Sequence, residues 1–175
     1  MRSKTILVGW LGLLLLAGCA KHSTRPEIPV AEFSLVGGPT AGSPAAPVEF
    51  TARVRILRPD VYSWVGCIAG PIDFTLVDAN GHRVNTWDPC QVLPACPVGW
   101  GPLAQESEHL LRFRFAGVEY PEATTTCPVQ VMSVPSGRYT LHARFTYGLS
   151  PEWPASPQVQ EREVAFDWES NLEEP

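Results

Sequence analysis

The sequence has no apolar run long enough to remain in a membrane as a helix. Its most apolar stretch extends from Ile6 to Leu16, whereas a transmembrane helix needs about 20 such residues. No segment places its apolar residues at the 3.6-residue spacing of an amphipathic helix. These absences make a retained transmembrane anchor the weaker explanation of the N terminus, and they argue against a helical domain.

Recognisable catalytic motifs are also missing. The chain contains no H-E-x-x-H zinc motif, no G-x-S-x-G nucleophile elbow and no C-x-x-C redox pair. Its four histidines stand apart from one another and from any metal-ligand spacing: His22, His82, His109 and His142. We therefore expect no enzyme, no cofactor and no metal ion, although a catalytic triad built from distant residues would leave no such motif.

Basic charge is scarce. The chain has 13 Lys and Arg against 18 Asp and Glu, which gives a formal net charge of −5. The first 18 residues contain two basic residues, Arg2 and Lys4, so their removal would change the net charge to −7. Recognition of nucleic acid relies on basic surface. We therefore exclude nucleic acid as a partner.

The N terminus has the layout of a secretory signal. Arg2 and Lys4 precede the apolar stretch, which closes with the letters LAGC at Cys19. This ending resembles the bacterial lipobox, and the resemblance implies cleavage before Cys19, a diacylglycerol thioether on its sulfur and an acylated amino terminus. Two or three acyl chains hold a protein at a bilayer stably, whereas one chain does so only marginally. A chance cysteine after an ordinary cleavage site is the alternative.

These features divide the chain into four parts. We expect a signal peptide at 1–18, the lipidated Cys19 with a flexible tether at 19–30, one domain at 31–170 and a tail at 171–175. The residue after Cys19 is Ala20, not the aspartate that retains many lipoproteins at the inner membrane. The predicted location is the cell envelope, with the periplasmic side of the outer membrane favoured in a cell that has two membranes. The anchoring membrane is then the first partner.

The domain alternates apolar and polar residues, which is typical of half-buried strands. The clearest run places Val48, Phe50, Ala52, Val54 and Ile56 on one face. Further runs have apolar faces at Phe33 and Leu35, at Ile72 to Leu76, at Leu111 to Phe115, at Tyr139 to Tyr147 and at Val164 to Trp168. With the segment after the Asn80-Gly81 turn, about seven strands predict an all-β, immunoglobulin-like antiparallel β-sandwich.

Alternation also predicts a register for the last hairpin. If the segment from Gly148 to Gln158 joins two antiparallel strands, His142 stands opposite Glu163 and Arg144 stands opposite Glu161. All four side chains then lie on the outer face.

Part of the domain resembles a known family. The segments IDFTLVDANGHRVNTW, HLLRFRF and VPSGRYTLHARFTY are similar to the immunoglobulin-like domain of the intracellular proteinase inhibitor (BsuPI-type) family. The matching positions are Asp78, Gly81, Val84, Trp87, Pro135, Gly137, Tyr139 and Leu141. The resemblance implies a β-sandwich and protease inhibition. The chain departs from the family by its export signal, by its four further cysteines and by long inserts at 88–105 and 116–136.

Four cysteines follow the anchor: Cys67, Cys90, Cys96 and Cys127. An even number in an exported chain predicts two disulfides, and zinc is the alternative despite the lack of a C-x-x-C pair. Proximity in sequence favours Cys90–Cys96 with Cys67–Cys127. The other two pairings, Cys67–Cys90 with Cys96–Cys127 and Cys67–Cys96 with Cys90–Cys127, stay open.

The segment WDPCQVLPACPVGWGPL is too apolar for a simple solvated loop. It either caps one end of the sandwich, with Trp100 filling the end of the core, or presents a rigid surface to a partner. The candidate binding residues are Val92, Leu93, Pro94 and Trp100. We therefore expect a non-catalytic binding or structural module whose partner is an envelope protein or polymer. A protease inhibitor and an enzyme with an unrecognised site are the alternatives.

Outward arginines on two of the strands allow two interpretations. Arg53, Arg55, Arg112 and Arg114 line a patch for an acidic partner if their strands are neighbours, or they form cross-strand pairs with Glu49, Glu106 and Glu108. The second interpretation is the simpler one, because such surface pairs are common and contribute less than about 1 kcal/mol each.

Changing Cys19 to Ala tests the lipid anchor. We expect the variant to lose metabolic labelling by fatty acid and to leave the membrane fraction or remain unprocessed, because no thiol is left to carry the lipid. Unaltered labelling and unaltered membrane fractionation would contradict the lipobox assignment.

Overall fold

The alternating segments form two facing sheets in the computed structural model, which describes residues 29–65, 70–90, 99–121, 127–154 and 156–170. These residues contain twelve strands: β1 (Ala31–Gly37), β2 (Ala41–Gly42), β3 (Val48–Ile56), β4 (Val61–Val65), β5 (Ile72–Asp78), β6 (Arg83–Val84), β7 (Gly99–Leu103), β8 (Glu108–Phe115), β9 (Val118–Glu119), β10 (Met132–Ser133), β11 (Gly137–Tyr147) and β12 (Gln158–Trp168). Across the described ranges, no helix is long and apolar enough to cross a membrane.

The two main sheets have the orders β1-β3-β8 and β2-β12-β11-β5-β6. Every pairing is antiparallel except that of the short β2, which runs parallel to β12. Two further ribbons pair β4 with β7 and β9 with β10. The predicted all-β sandwich is confirmed. It has more strands than the seven expected, because four of the twelve contain only two residues and because β4 and β7 lie in segments that show no long alternation.

The core lies between the sheets and follows the predicted faces. The five apolar residues of β3, from Val48 to Ile56, and the five inward residues of β11, from Tyr139 to Tyr147, are all buried. Fully burying one large apolar side chain contributes about 1.5–3 kcal/mol. The Tyr139 hydroxyl donates a hydrogen bond of 2.8 Å to the carbonyl of Pro135, an arrangement that immunoglobulin-like domains use at the corner before this strand.

One end of the sandwich collects several strand ends. Ala31 pairs with Ile56, Arg55 with Glu108, and Tyr147 with Gln158. β1 and β8 therefore begin where β3 ends, and β12 begins where β11 ends. Both places belong to one end of the sandwich, because Ala31 and Ile56 share a core cluster with Tyr147. We call this the entry end, because the domain begins there with β1.

The predicted register of the last hairpin is confirmed. His142 pairs with Glu163 and Arg144 pairs with Glu161 in the β11–β12 ladder. His142 Nδ1 lies 3.0 Å from Glu161 Oε1 and 3.6 Å from Glu163 Oε2. The three side chains therefore share one face, as alternation requires.

The favoured disulfide pairing is wrong, because Cys90 is bonded to Cys127, with a Cα–Cα distance of 5.7 Å. The chain after β8 folds back beside the chain after β6, where Tyr120 N donates to the carbonyl of Asn85 at 2.8 Å. The Asn85 side-chain amide in turn donates to the carbonyls of Tyr120 and Pro121 at 3.2 Å each. Tertiary contacts thus bring together cysteines that are 37 residues apart. A disulfide that closes a loop of this length stabilises the folded state by about 4 kcal/mol on the chain-entropy estimate.

The pairing of the other two cysteines can be tested. Cys67 and Cys96 lie outside the described residues. Val65 is two residues before Cys67 and Gly99 is three residues after Cys96, and these two residues are paired in the β4–β7 ribbon. Of the three pairings open from the sequence, the one with Cys90–Cys127 joins Cys67 to Cys96. We expect non-reducing digestion and mass spectrometry to recover both linked peptides. Free thiols at Cys67 and Cys96, or a peptide that joins Cys67 to Cys90 or Cys127, would contradict this.

A glycine substitution tests the packing between the sheets. Gly117 has φ +78°, and a Cβ built there would lie 2.0 Å from the Trp168 ring, whereas at Gly81, with φ +80°, a Cβ would meet nothing within 4 Å. Both Ala variants carry the strain of the left-handed backbone, but only Gly117→Ala adds a clash with a buried ring. We expect Gly117→Ala to lower the free energy of unfolding by about 1–3 kcal/mol more than Gly81→Ala. If urea unfolding shows that both variants lose the same free energy of unfolding, the packing described for Trp168 is contradicted.

Candidate binding surfaces

The ribbon of β4 and β7 is fixed to the entry end by its polar backbone. Tyr62 N donates to the carbonyl of Gly148 and Gly148 N donates to the carbonyl of Tyr62, both at 2.9 Å. The Ser63 side chain is fully buried and donates to the carbonyl of Thr146. β4 alternates buried Val61 and Ser63 with more exposed neighbours, which is the pattern of a strand with one face on the core.

Three tryptophans from three separate segments meet on this ribbon. Trp64 of β4 is paired with Trp100 of β7, and Trp153 reaches them from the connection between β11 and β12. The ring centroids are 6.1 Å apart for Trp64–Trp100, 4.8 Å for Trp64–Trp153 and 4.7 Å for Trp100–Trp153. We call these residues the tryptophan cluster.

The cluster combines a partly buried centre with exposed flanks. Trp100 is partly buried, and its Nε1 donates to the carbonyl of Ser150 at 3.1 Å. Trp64 is 38% exposed and Trp153 is 49% exposed, and the neighbouring Leu149 is 40% exposed. Packed aromatic rings hold one another in place, so the cluster is an ordered apolar surface.

Only one of the predicted binding residues falls within the described structure. Trp100 lies in the tryptophan cluster, while Val92, Leu93 and Pro94 lie outside the described residues. Sequence reasoning missed Trp64 and Trp153, although the short alternation of VYSWV around Trp64 was a visible signal.

The outward arginines are largely engaged in cross-strand pairs. β3 and β8 are neighbours, and ion pairs join Arg53 to Glu108, Arg55 to Glu106, and Arg114 to Glu49. The hydrogen bond from Arg55 to Glu106 raises the pKa of that guanidinium. The described residues give no ion pair to Arg112, the fourth of the set.

Arg112 lines a cleft at an open side of the sandwich. β8 is the last strand of its sheet, and β6 pairs with β5 only at Leu76 and Val77, so the outer side of β5 from Ile72 to Thr75 has no partner strand among the described residues. The cavity between these edges has a volume of about 630 Å³, which is within the range of ligand pockets. Its lining includes Trp64, Asp73, Phe74, Arg83, Asn85, Trp87, Arg112 and Phe113.

Charge in the cleft is predominantly positive. Asp73 is the acidic residue of the lining and stands opposite Arg144 in the β11–β5 ladder. Loss of hydration raises the pKa of the Asp73 carboxyl, and the charges of Arg144 and Arg83 oppose this shift. Arg83, like Arg112, has no ion pair to a described residue. Arg83 and Arg112 therefore share the cleft lining with Trp87, which is 48% exposed.

Comparison with known proteins gives no family. No protein-family model matches the chain, and no curated protein matches it. Among solved structures, a β-glucosidase from Listeria innocua with isofagomine has 13% identity and a TM-score of 0.38, covering 87% of this chain and 20% of its own. The sporulation control protein Spo0M from Bacillus subtilis has 14% identity and a TM-score of 0.40, covering 81% of this chain and 50% of its own. The chain thus spans about one fifth of the length of the β-glucosidase and about half of the length of Spo0M.

Proposed function

We propose that this protein is a lipid-anchored cell-envelope protein that acts as a non-catalytic binding module, and that its cleft holds an extended acidic segment of a partner protein. The lipobox resemblance supports the anchor. The observation that carries the binding role is the pair Arg83 and Arg112, which flank open strand edges without an ion pair to a described residue.

Open strand edges support a peptide ligand. Unpaired backbone N–H and C=O groups along an edge can accept a further strand, so an extended peptide gains affinity from its main chain and specificity from side-chain pockets. β5 offers such an edge from Ile72 to Thr75, and β8 faces it from the other sheet. The aromatic pair Phe74 and Phe113, with centroids 5.3 Å apart, forms an apolar floor.

Charge supports an acidic sequence in that peptide. Guanidinium groups bind carboxylates through paired hydrogen bonds. The cleft carries this charge although the whole chain is acidic, at −5. An acidic segment is therefore attracted to this part of the surface and repelled by much of the rest.

Photo-crosslinking in living cells tests the proposal. A photoreactive residue replacing Trp87, which lines the cleft and is 48% exposed, is expected to give a discrete protein adduct, while the same residue at Val36, which is 54% exposed on β1, gives none of that mass. Arg83→Glu with Arg112→Glu should reduce the adduct at least tenfold, because the charge on which recognition depends is reversed. Arg138→Glu, at an exposed arginine beside Asp167 outside the cleft lining, is the matched control and should leave it unchanged.

The alternatives give different results. Equal adducts at Trp87 and Val36, or an adduct that survives reversal of both cleft arginines, would contradict the proposed site. The family resemblance implies a protease inhibitor, and inhibition of a protease panel by the purified protein, undiminished by the two Glu substitutions, would favour that function instead.

A further inference from the structure

The lipid anchor and the tryptophan cluster belong to the same end of the domain. β1 begins at the entry end, where Leu57 N donates to the carbonyl of Val30 at 3.0 Å. The chain from Cys19 therefore joins the domain at this end by covalent continuity. The cluster lies there too, because β4 is bonded to Gly148 immediately after β11 ends.

The length of the connecting chain limits the distance between this end and the bilayer. Eleven residues separate Cys19 from Ala31, and a fully extended chain of that length spans at most about 40 Å. A lipidated Cys19 therefore keeps the entry end within this distance of the membrane surface, so that end can reach the headgroup region.

The exposed side chains of this end suit the headgroup region. Trp is enriched at membrane interfaces because its ring is apolar and its N–H is polar. Trp64 and Trp153 are held in place by Trp100, and Leu149 adds a third exposed apolar side chain. The nearby charges of Arg58 and Asp60 are already paired with each other, so contact with lipid does not require either charge to be buried alone.

We propose that Trp64 and Trp153 seat in the headgroup region of the membrane that anchors Cys19, so that the sandwich stands on its entry end. The acidic chain, at −5, gains no attraction from anionic lipid, so the contact depends on the aromatic surface and not on lipid charge. This inference rests on the lipid anchor of the proposed function. Trp64 also lines the peptide cleft, whereas Trp153 does not belong to that lining.

Quenching by brominated lipid tests this contact. The full-length lipoprotein is reconstituted in phosphatidylethanolamine–phosphatidylglycerol vesicles, with or without acyl chains brominated near the headgroup, and tryptophan emission is measured on the vesicles that float. Bromine should quench the tryptophan emission of the wild type and of the Trp87→Phe control. This control removes an exposed indole that lines the cleft. In the Trp64→Phe/Trp153→Phe variant the quenched fraction should fall at least twofold.

Each other outcome overturns the contact. Protein that floats but is not quenched keeps its anchor and lacks the contact, whereas protein that does not float lacks the anchor on which the contact depends. Quenching that disappears with Trp87→Phe would place lipid at the cleft. A photo-crosslink from position 153 to a protein in cells would assign the tryptophan cluster to a protein partner.

Discussion

Strand β11 is the element on which the rest of the structure depends. It pairs with β12 on one side and with β5 on the other, and its five inward residues from Tyr139 to Tyr147 are buried between the sheets. A slip of one residue would turn all five toward water. Beyond its last residue, Gly148 bonds Tyr62 and so holds the β4–β7 ribbon. One register thus fixes both the core and the surface that the tryptophans occupy.

The strands could be predicted from the sequence where their alternation is long. β3 and β11 each carry five apolar residues at period 2, and the pairing of His142 with Glu163 follows from the same periodicity. β4 gives only a weak signal, because its alternation covers five residues, and β7 gives none, because glycine and proline interrupt it. Their strand character depends on pairing with each other and with Gly148.

The binding surfaces were less predictable than the strands, because each is assembled from distant segments. Trp64, Trp100 and Trp153 come from three connections that only the fold brings together. The cysteine pairing failed for the same reason, since the bond of Cys90 to Cys127 depends on the return of the chain beside Asn85. Among the outward arginines, the sequence predicted either a patch or cross-strand pairs, and the structure divides them: three form ion pairs, while Arg112 is part of the cleft lining.

The tryptophan cluster and the cleft meet at Trp64, which belongs to the cluster and also lines the cleft. The entry end carries exposed indoles, and the side between β5 and β8 carries guanidinium groups and strand edges that have no partner strand among the described residues. A domain that stands on its entry end would present that side to neighbouring envelope proteins. The ribbon has to be a fixed part of the sandwich for this arrangement to work.

Hydrogen exchange of the Tyr62 and Gly148 amides measures directly whether the ribbon is fixed. Both amides donate to each other's carbonyls, so they should open only with the cooperative unit that contains β11 and be protected to a similar degree. Exchange at the rate of a free peptide at Tyr62 and Gly148, while β11 stays protected, would show that the ribbon is a loose loop and would contradict the ordered entry end.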